Sequence, residues 1–360
     1  VHDGVPDHMA DHPEDDAFRP AGAEPADVAG LMHPDVGGYR PGDMRVVAAF
    51  DVDRRKVGGP LEAAIFARPN CARVFQPELP ESGVTVAMGP VHDGVPDHMA
   101  DHPEDDAFRP AGAEPVDVAA TLRASGAEVL VCFLPVGAER AVQHYARACL
   151  DAGVALVNCQ PVFIAAEPAW ARAFADAGVP LVGDDIKSQV GATITHRALA
   201  RLFADRGVTL DRTYQLNTGG NTDFLTMLDR ERLQSKRTSK TESVQSQLDA
   251  RLPEGAIHIG PSDYVAWQDD NKVAFIRMEG RGFGGAPVEL EMRLSVQDSP
   301  NSAGVVIDAA RCAKLARDRG VGGPLAGVSA YCMKTPPVQM TDIEARDATA
   351  AFIAGETRDA

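Results

Sequence analysis

A chain of 360 residues is long enough for two domains or for one large α/β unit carrying an insertion. Its 44% hydrophobic and 24% charged residues are ordinary for a globular protein, and no apolar run approaches the roughly 18 residues of a membrane span. The net charge of −17 leaves no broad basic face for nucleic acid, although a few cations converging locally can still hold an anion.

No secretory signal is recognisable, so a cytoplasmic location is expected, with no membrane partner. Residues 1–25, VHDGVPDHMADHPEDDAFRPAGAEP, recur without a mismatch at 91–115. Solenoid repeats diverge and number at least three, so this pair is not an architectural period. The copy is acidic, rich in His and Pro, and without apolar periodicity, which predicts a loop or a disordered arm and an irregular segment over 1–30. Its histidines and carboxylates allow loose metal binding, but a solvated acidic arm is the simpler reading.

From Asp43 onward the pattern alternates between strand and helix. RVVAAFDVD (45–53) reads as a buried parallel strand with Asp51 at its carboxyl end, and EVLVCFL (128–134) as another. A helix over 138–152 places Ala141, Val142, Tyr145, Ala148 and Cys149 on one face and stops at Gly153. A strand at 154–158, a helix at 167–177, a strand at 179–184 and a helix at 191–206 follow. Beyond residue 209 the grammar changes to strands at 212–217, 256–260, 272–279 and 287–296, then helices at 302–318 and 341–354. PVELEMRLSV alternates as half-exposed antiparallel strands do. The expected class is α/β: a Rossmann-like doubly wound parallel sheet from 31–208 and 300–360, interrupted by an inserted α+β domain at 209–299.

The six cysteines show no CxxC spacing and should be reduced, mostly buried thiols. Seven lysines stand against 28 arginines. Where arginine supplies most cations, the remaining lysines are candidates for chemistry that only a titratable ammonium performs; leftover surface residues are the alternative. Lys187 follows a strand in VPLVGDDIKSQVGA, where the ensuing helix start suits a phosphate. QLNTGGNTD holds Asn217, Asn221 and Asp223 around two glycines that let backbone approach a ligand, or forms a plain polar turn. SKRTSK, if helical, projects Lys236 and Lys240 from one face with Ser235 and Ser239 beside them. Lys272 opens an apolar strand, Asp308 faces the apolar side of a helix, and Lys334 precedes two prolines.

Together GDDIKSQVGATITHR, NTGGNTDF, SKRTSK, HIGPSDYVAW, DDNKVAFIRMEGR, DSPNSAGVVIDAAR and AYCMKTPP resemble the shorter, prokaryotic branch of the myo-inositol-1-phosphate synthase family, over about residues 31–355. The resemblance implies conversion of glucose 6-phosphate to an inositol phosphate with catalytic NAD, in inositol and phospholipid biosynthesis, by a homotetramer. It leaves a divalent cation open. It implies that Lys272 serves redox and proton transfer at C5, that Lys236 and Lys240 grip the substrate, and that Lys334 attends its carbonyl and phosphate end. Asp308 joins that catalytic set. Asp185 and Asp223 would orient cofactor, lysines or hydroxyls; Ser188, Tyr145 and Lys236 would contact NAD; and Asp51 would hold the adenosine ribose. Lys187, Asn217, Asn221, Ser235 and Ser239 would complete the substrate site.

The family opens with an apolar strand and a GxGxxN-type loop that cradles the pyrophosphate. Residues 1–32 contain neither, VAGLM (28–32) being their longest apolar stretch. A sheet lacking its first strand leaves neighbouring backbone groups unpaired, at about 1–3 kcal/mol for each one buried. Weak or absent NAD binding and reduced stability are therefore expected. Two readings follow: an active cyclase, or a non-catalytic relative that keeps a sugar-phosphate pocket.

Overall fold

The structure, a computed structural model, describes residues 30–229 and 234–357, with the side chains at 234–237, 261 and 262 outside that description. The predicted arm at 1–29 and the side chains of Ser235 and Lys236 thus lie outside the described residues.

The first half contains β1 (Ala49–Asp51), α1 (Leu61–Ala64), β2 (Val86–Met88), α2 (Val118–Ser125), β3 (Val129–Cys132), α3 (Glu139–Ala152) and β4 (Ala155–Asn158). It continues through α4 (Pro168–Asp176), β5 (Pro180–Gly183) and α5 (Ala192–Asp205). Then come β6 (Thr209–Gly219), α6 (Thr222–Thr226), α7 (Gln234–Gln245), β7 (Ile257–Tyr264), β8 (Asn271–Arg281) and β9 (Pro287–Gln297). The chain closes with α8 (Asp298–Asp318), β10 (Gly323–Pro324), α9 (Ala326–Cys332) and α10 (Asp342–Ala354).

Strands β10, β5, β4 and β3 form, in that order, one all-parallel sheet. Every residue of β4 is buried, because helices cover both faces. Successive residues point to opposite sides: Leu156 packs with Leu122, Cys149 and Phe174 of α2, α3 and α4, while Val157 packs with Ala309, Val328 and Phe352 of α8, α9 and α10. The α3 stripe read from the sequence is the buried one, and Gly153 ends that helix at φ 66°, a left-handed conformation that glycine adopts without a Cβ penalty. This is the doubly wound arrangement. A second sheet, ordered β7-β6-β8-β9, pairs β6 with β7 in parallel and β6–β8 and β8–β9 antiparallel. β9 alternates exposed and half-buried positions along its whole length.

β1 and β2 make a separate two-stranded parallel sheet, and among the described residues no ladder joins β1 to β3. The gap lies where the sequence lacks an opening strand.

The second copy of the repeat is a packed loop with one short 3-10 helix (Asp97–Asp101), so of the two expectations for residues 91–115 the loop holds and the disordered arm does not. Asp93 caps α3, accepting from the backbone N–H of Arg140 at 3.0 Å and of Ala141 at 2.9 Å. Arg109 donates to the carbonyls of Met99 and His102, each at 2.7 Å, and Met99 and Ala107 are buried against Leu225. All six cysteines are free and five are buried, as expected.

α8 begins at Asp298, four residues before the predicted 302, because Pro300 is compatible with a first helical turn, where its missing N–H costs nothing. That shift matters for Asp308, expected in the catalytic set. Asp308 is absent from the lining of the large cavity described below; ten residues of helix, about 15 Å, separate it from the helix start. Instead its carboxylate, 2% exposed, accepts from Arg311 at 2.5 Å and from His33 Nδ1 at 2.7 Å. Arg311 in turn donates to the carbonyls of His33, Pro34 and Tyr39 at 2.7, 3.2 and 3.1 Å. The pair anchors the segment 33–39 to α8. Breaking a buried ion pair strands the remaining charge, so Asp308→Ala should cost about 3–5 kcal/mol in urea unfolding.

Candidate functional site

A cavity of about 1260 Å³ opens at the carboxyl ends of β1 and β3 and runs to the start of β8. Its centre is set by the loop after β5. Asp185 adopts φ 62°, unusual for a residue with a Cβ, and the surrounding backbone holds it there. Asp184 and Thr335 exchange backbone hydrogen bonds at 2.9 and 3.0 Å, Lys187 N–H donates to the Cys332 carbonyl at 2.8 Å, and Lys334 N–H to that of Asp185 at 2.7 Å. This pairing brings Lys334 beside Asp185 although 149 residues separate them. Lys334 Nζ donates to Asp185 Oδ1 at 2.8 Å and to the Ile186 carbonyl at 2.6 Å. Ser239 of α7 donates to Asp185 Oδ2 at 2.7 Å, and the hydroxyls of Thr335 and Ser239 are 2.7 Å apart. Below them, Asp184 accepts from the N–H groups of Ile164, Ala165 and Ala166 and from Asn158. Burial pushes its pKa up to about 7 against those four donors.

The other side is built by β8, β9 and α8. Lys272 Nζ donates to Asp298 Oδ1 at 3.0 Å and lies 5.6 Å above the Phe224 ring. Burial alone would lower the lysine pKa; Asp298 above all, then Asp223 and Asp185, outweigh it and hold the value above that of a free lysine. Lys272 is therefore an ammonium at neutral pH. Asn221 caps α6 and donates to Asp270 at 3.1 Å, while Ser299 of α8 donates to the same carboxylate through its hydroxyl at 2.7 Å. A Cβ on Gly220 would fall 2.5 Å from the Asp269 nitrogen, so only glycine lets this loop close on β8. Lys240, buried, and Asp223 line the same cavity.

At the far end the Asp51 carboxylate accepts from the N–H groups of Val52 at 2.7 Å and Asp53 at 2.8 Å and from Lys56 at 3.2 Å. Tyr145 packs edge-on against Phe50, ring centres 5.7 Å apart. The Ser188 and Ser302 hydroxyls lie 3.2 Å apart and connect the approach to α5 with α8.

Of the expected residues, Asp51, Tyr145, Asp185, Ser188, Asn221, Asp223, Lys240, Lys272 and Lys334 line this one cavity. Ser239 stands behind Asp185, fully buried, and reaches the cavity only through that carboxylate. Asn217 is also set back: it accepts from Gln215 at 3.0 Å, and Gln215 is the residue that faces the cavity. Lys187 does not belong to the site. The turn at Asp185 sends its side chain the other way, where Nζ donates to the Ala330 carbonyl near the end of α9 at 2.6 Å and to Asp342 at 3.2 Å. Burial, reinforced by Arg197 and opposed by Asp342, lowers its pKa to about 8. Sequence reasoning missed Asp298, Gln215 and Thr335. The signal for Asp298 was its place at a strand-to-helix junction, immediately after the alternating β9. Among the described residues no cluster of three His, Cys, Asp or Glu side chains could hold a metal.

With Asp298 replaced by Asn, the attraction that offsets burial is lost, and the Lys272 titration midpoint should fall. Lysine ¹³Cε shifts followed against pH check this; an unchanged midpoint would mean that the pair does not set the charge of Lys272.

The profile of the myo-inositol-1-phosphate synthase family matches residues 191–299. The inositol-3-phosphate synthase of Mycolicibacterium smegmatis is 55% identical over 332 residues, 91% of this chain and 90% of that protein. The inositol-3-phosphate synthase of Corynebacterium glutamicum is 53% identical over 337 residues, 92% and 91% of the two chains. Among solved structures, Ari2 superposes with a TM-score of 0.72 at 38% identity, covering 93% of this chain and 90% of its own. A myo-inositol-1-phosphate synthase-related protein from Thermotoga maritima superposes with a TM-score of 0.72 at 25% identity, over 92% and 91%. On identity sustained along nine-tenths of its length, the chain belongs to the myo-inositol-1-phosphate synthase family.

Proposed function

We propose that the cavity cyclises glucose 6-phosphate to an inositol phosphate, with NAD as an internal redox carrier. The observation that carries this reading is the convergence of Lys240, Lys272 and Lys334 with Asp185, Asp223 and Asp298 on one cavity of a strongly acidic protein. Lysines are scarce here, and five of the seven, Lys56 and Lys314 among them, line this one cavity.

The described residues fit the two ends of a dinucleotide. Asp51, at the carboxyl end of a parallel strand, suits ribose hydroxyls, and Ser188, Asp185 and Asp223 lie toward the lysines. Between these ends no glycine cradle for a pyrophosphate exists among the described residues, so affinity should be low. Bound NAD would supply a hydride acceptor at C5 of the substrate and return the hydride after ring closure.

The protein's own groups do the rest. Lys272, held as an ammonium by Asp298, stabilises negative charge on the C5 oxygen when that carbon is a ketone and the adjacent C6–H is lost. The C6 proton passes to the substrate phosphate, and the resulting enolate adds to the C1 aldehyde to close the ring. Lys334, oriented by Asp185, stands for the carbonyl and phosphate end, and Lys240 adds a cation for the phosphate. Assembly as a homotetramer would begin from the outer face of the second sheet. There the register partners Leu216 and Phe275 are 43% and 42% exposed. No helix among the described residues is long and apolar enough to cross a membrane, and the reaction fits a cytoplasmic enzyme.

The gap between β1 and β3 favours a second reading, a relative that binds the sugar phosphate without turning it over. Inositol phosphate formation from glucose 6-phosphate separates the two. The cyclase forms product, and Lys272→Ala lowers its rate about 10²–10⁴-fold. The binding relative shows saturable glucose 6-phosphate binding, no product, and no NADH fluorescence enhancement.

A further inference from the structure

We propose that Arg197 is a positioning residue for the reaction: from outside the cavity, its buried guanidinium fixes the far ends of the two segments that carry Lys240 and Lys334. Arg197 projects from α5, is fully buried and is absent from the cavity lining. A guanidinium taken out of water has to spend its N–H groups on protein acceptors. Those of Arg197 go to three other segments. Nη1 donates to the Ser243 carbonyl in the last turn of α7 at 2.6 Å and to the Ser246 hydroxyl at 3.1 Å. Nη2 donates to the Met340 carbonyl at 2.9 Å, and Nε to both carboxylate oxygens of Asp342, the first residue of α10, at 3.1 Å. The last carbonyls of a helix are left without N–H donors of their own, so the end of α7 is open to such a hold.

Both routes lead to the lysines. Ser243 lies about one helical turn beyond Ser239, which donates to Asp185, and Lys240, which lines the cavity. On the other route Gln339 accepts from Arg197 Nη1 at 3.5 Å and donates to the Lys334 carbonyl at 2.8 Å, while Lys334 Nζ donates to Asp185. α7 and the segment 334–340 are therefore each fastened twice, at the cavity by Asp185 and outside it by Arg197. A segment held at one point can pivot; held at two, it keeps the direction of its side chains. The task calls for arginine, whose planar fork reaches separate acceptors at once, whereas a lysine carries its three protons on one nitrogen. Lys187 shows the difference on the same carboxylate: its Nζ lies 3.2 Å from Asp342 and reaches one further acceptor, the Ala330 carbonyl.

The test compares the unaltered full chain with Arg197→Lys, Arg197→Ala and Gln339→Ala by backbone amide exchange and mass spectrometry, without substrate. Arg197→Lys keeps a cation beside Asp342 and removes the fork. Its amides at 239–247 and 334–341 should exchange about tenfold faster, with those of β4 and α8 unchanged. In Arg197→Ala, guanidinium ion at a concentration that leaves the unaltered chain folded should restore protection of both segments, and methylammonium should not. A side chain that merely filled the core would show no such selectivity. Gln339→Ala, a change at an exposed position, should speed exchange at 334–341 alone. In the assay of inositol phosphate formation, Arg197→Lys should lower kcat about 10–100-fold. That effect on turnover rests on the cyclase reading. Exchange is measured without turnover, so an unaltered chain that forms no product contradicts the cyclase reading and leaves the exchange result to decide the role of Arg197. The proposal is overturned if exchange in Arg197→Lys is unchanged at either segment, or if it rises equally at β4, as it would were the whole chain unfolded. It is equally overturned if guanidinium restores no protection to Arg197→Ala, or if Gln339→Ala exchanges like the unaltered chain.

Discussion

One carboxylate holds the site together. Asp185 sits at a positive φ that its own residue type disfavours, and it stays there because backbone bonds to Gln160 and Lys334 hold the strained turn from both sides. From that position it takes an ammonium on one oxygen and a hydroxyl on the other, so that Lys334, α7 and the turn after β5 share one point of reference. Its field also reaches Lys272, where it assists Asp298. Relaxing the turn would therefore disturb three separate segments of the chain at once.

The electrostatics follow a consistent division. Lys272 is half-buried, but the carboxylates of Asp298, Asp223 and Asp185 act on it together, and it keeps its proton more tightly than a free lysine. Lys187, only two residues from Asp185, is buried with Arg197 nearby and holds its proton less tightly. The same residue type thus has opposite tendencies according to whether its carboxylates outweigh its burial, as at Lys272, or burial with Arg197 outweighs its one carboxylate, Asp342, as at Lys187. The first suits stabilisation of an oxyanion; the second ties α9 and α10 to the sheet.

Much of this was legible in the sequence. VALVN reads directly as a buried strand, since a sheet covered on both faces leaves no polar side to confuse the pattern; EVLVCFL also forms a strand, but β3 is half-buried except at Cys132. The α3 stripe and its terminal glycine were equally plain. Lysine scarcity pointed to five lysines, of which Lys240, Lys272 and Lys334 line the cavity, Lys187 does not, and the side chain of Lys236 lies outside the described residues; Lys56 and Lys314, not singled out, line it too. Spacing could not decide side-chain direction where the backbone leaves regular structure. The left-handed turn at Asp185 reversed the expectation for Lys187, and Asp308, expected beside the lysines, pairs with Arg311 and His33 while Asp298 lines the cavity. Nor did the repeat reveal that its second copy would be pinned through Asp93, because the partner N–H groups belong to a helix that begins 46 residues later.

α8 carries Asp298 at one end and the Asp308–Arg311 clamp farther along the same rod. A helix is stiff over 21 residues, so whatever displaces the segment 33–39 tilts the rod and moves its far tip. A hydrogen bond of 3.0 Å to Lys272 tolerates only a small fraction of an ångström of such tilt before it weakens. The packing of the segment 33–39 and the placement of Asp298 beside Lys272 thus depend on one and the same helix.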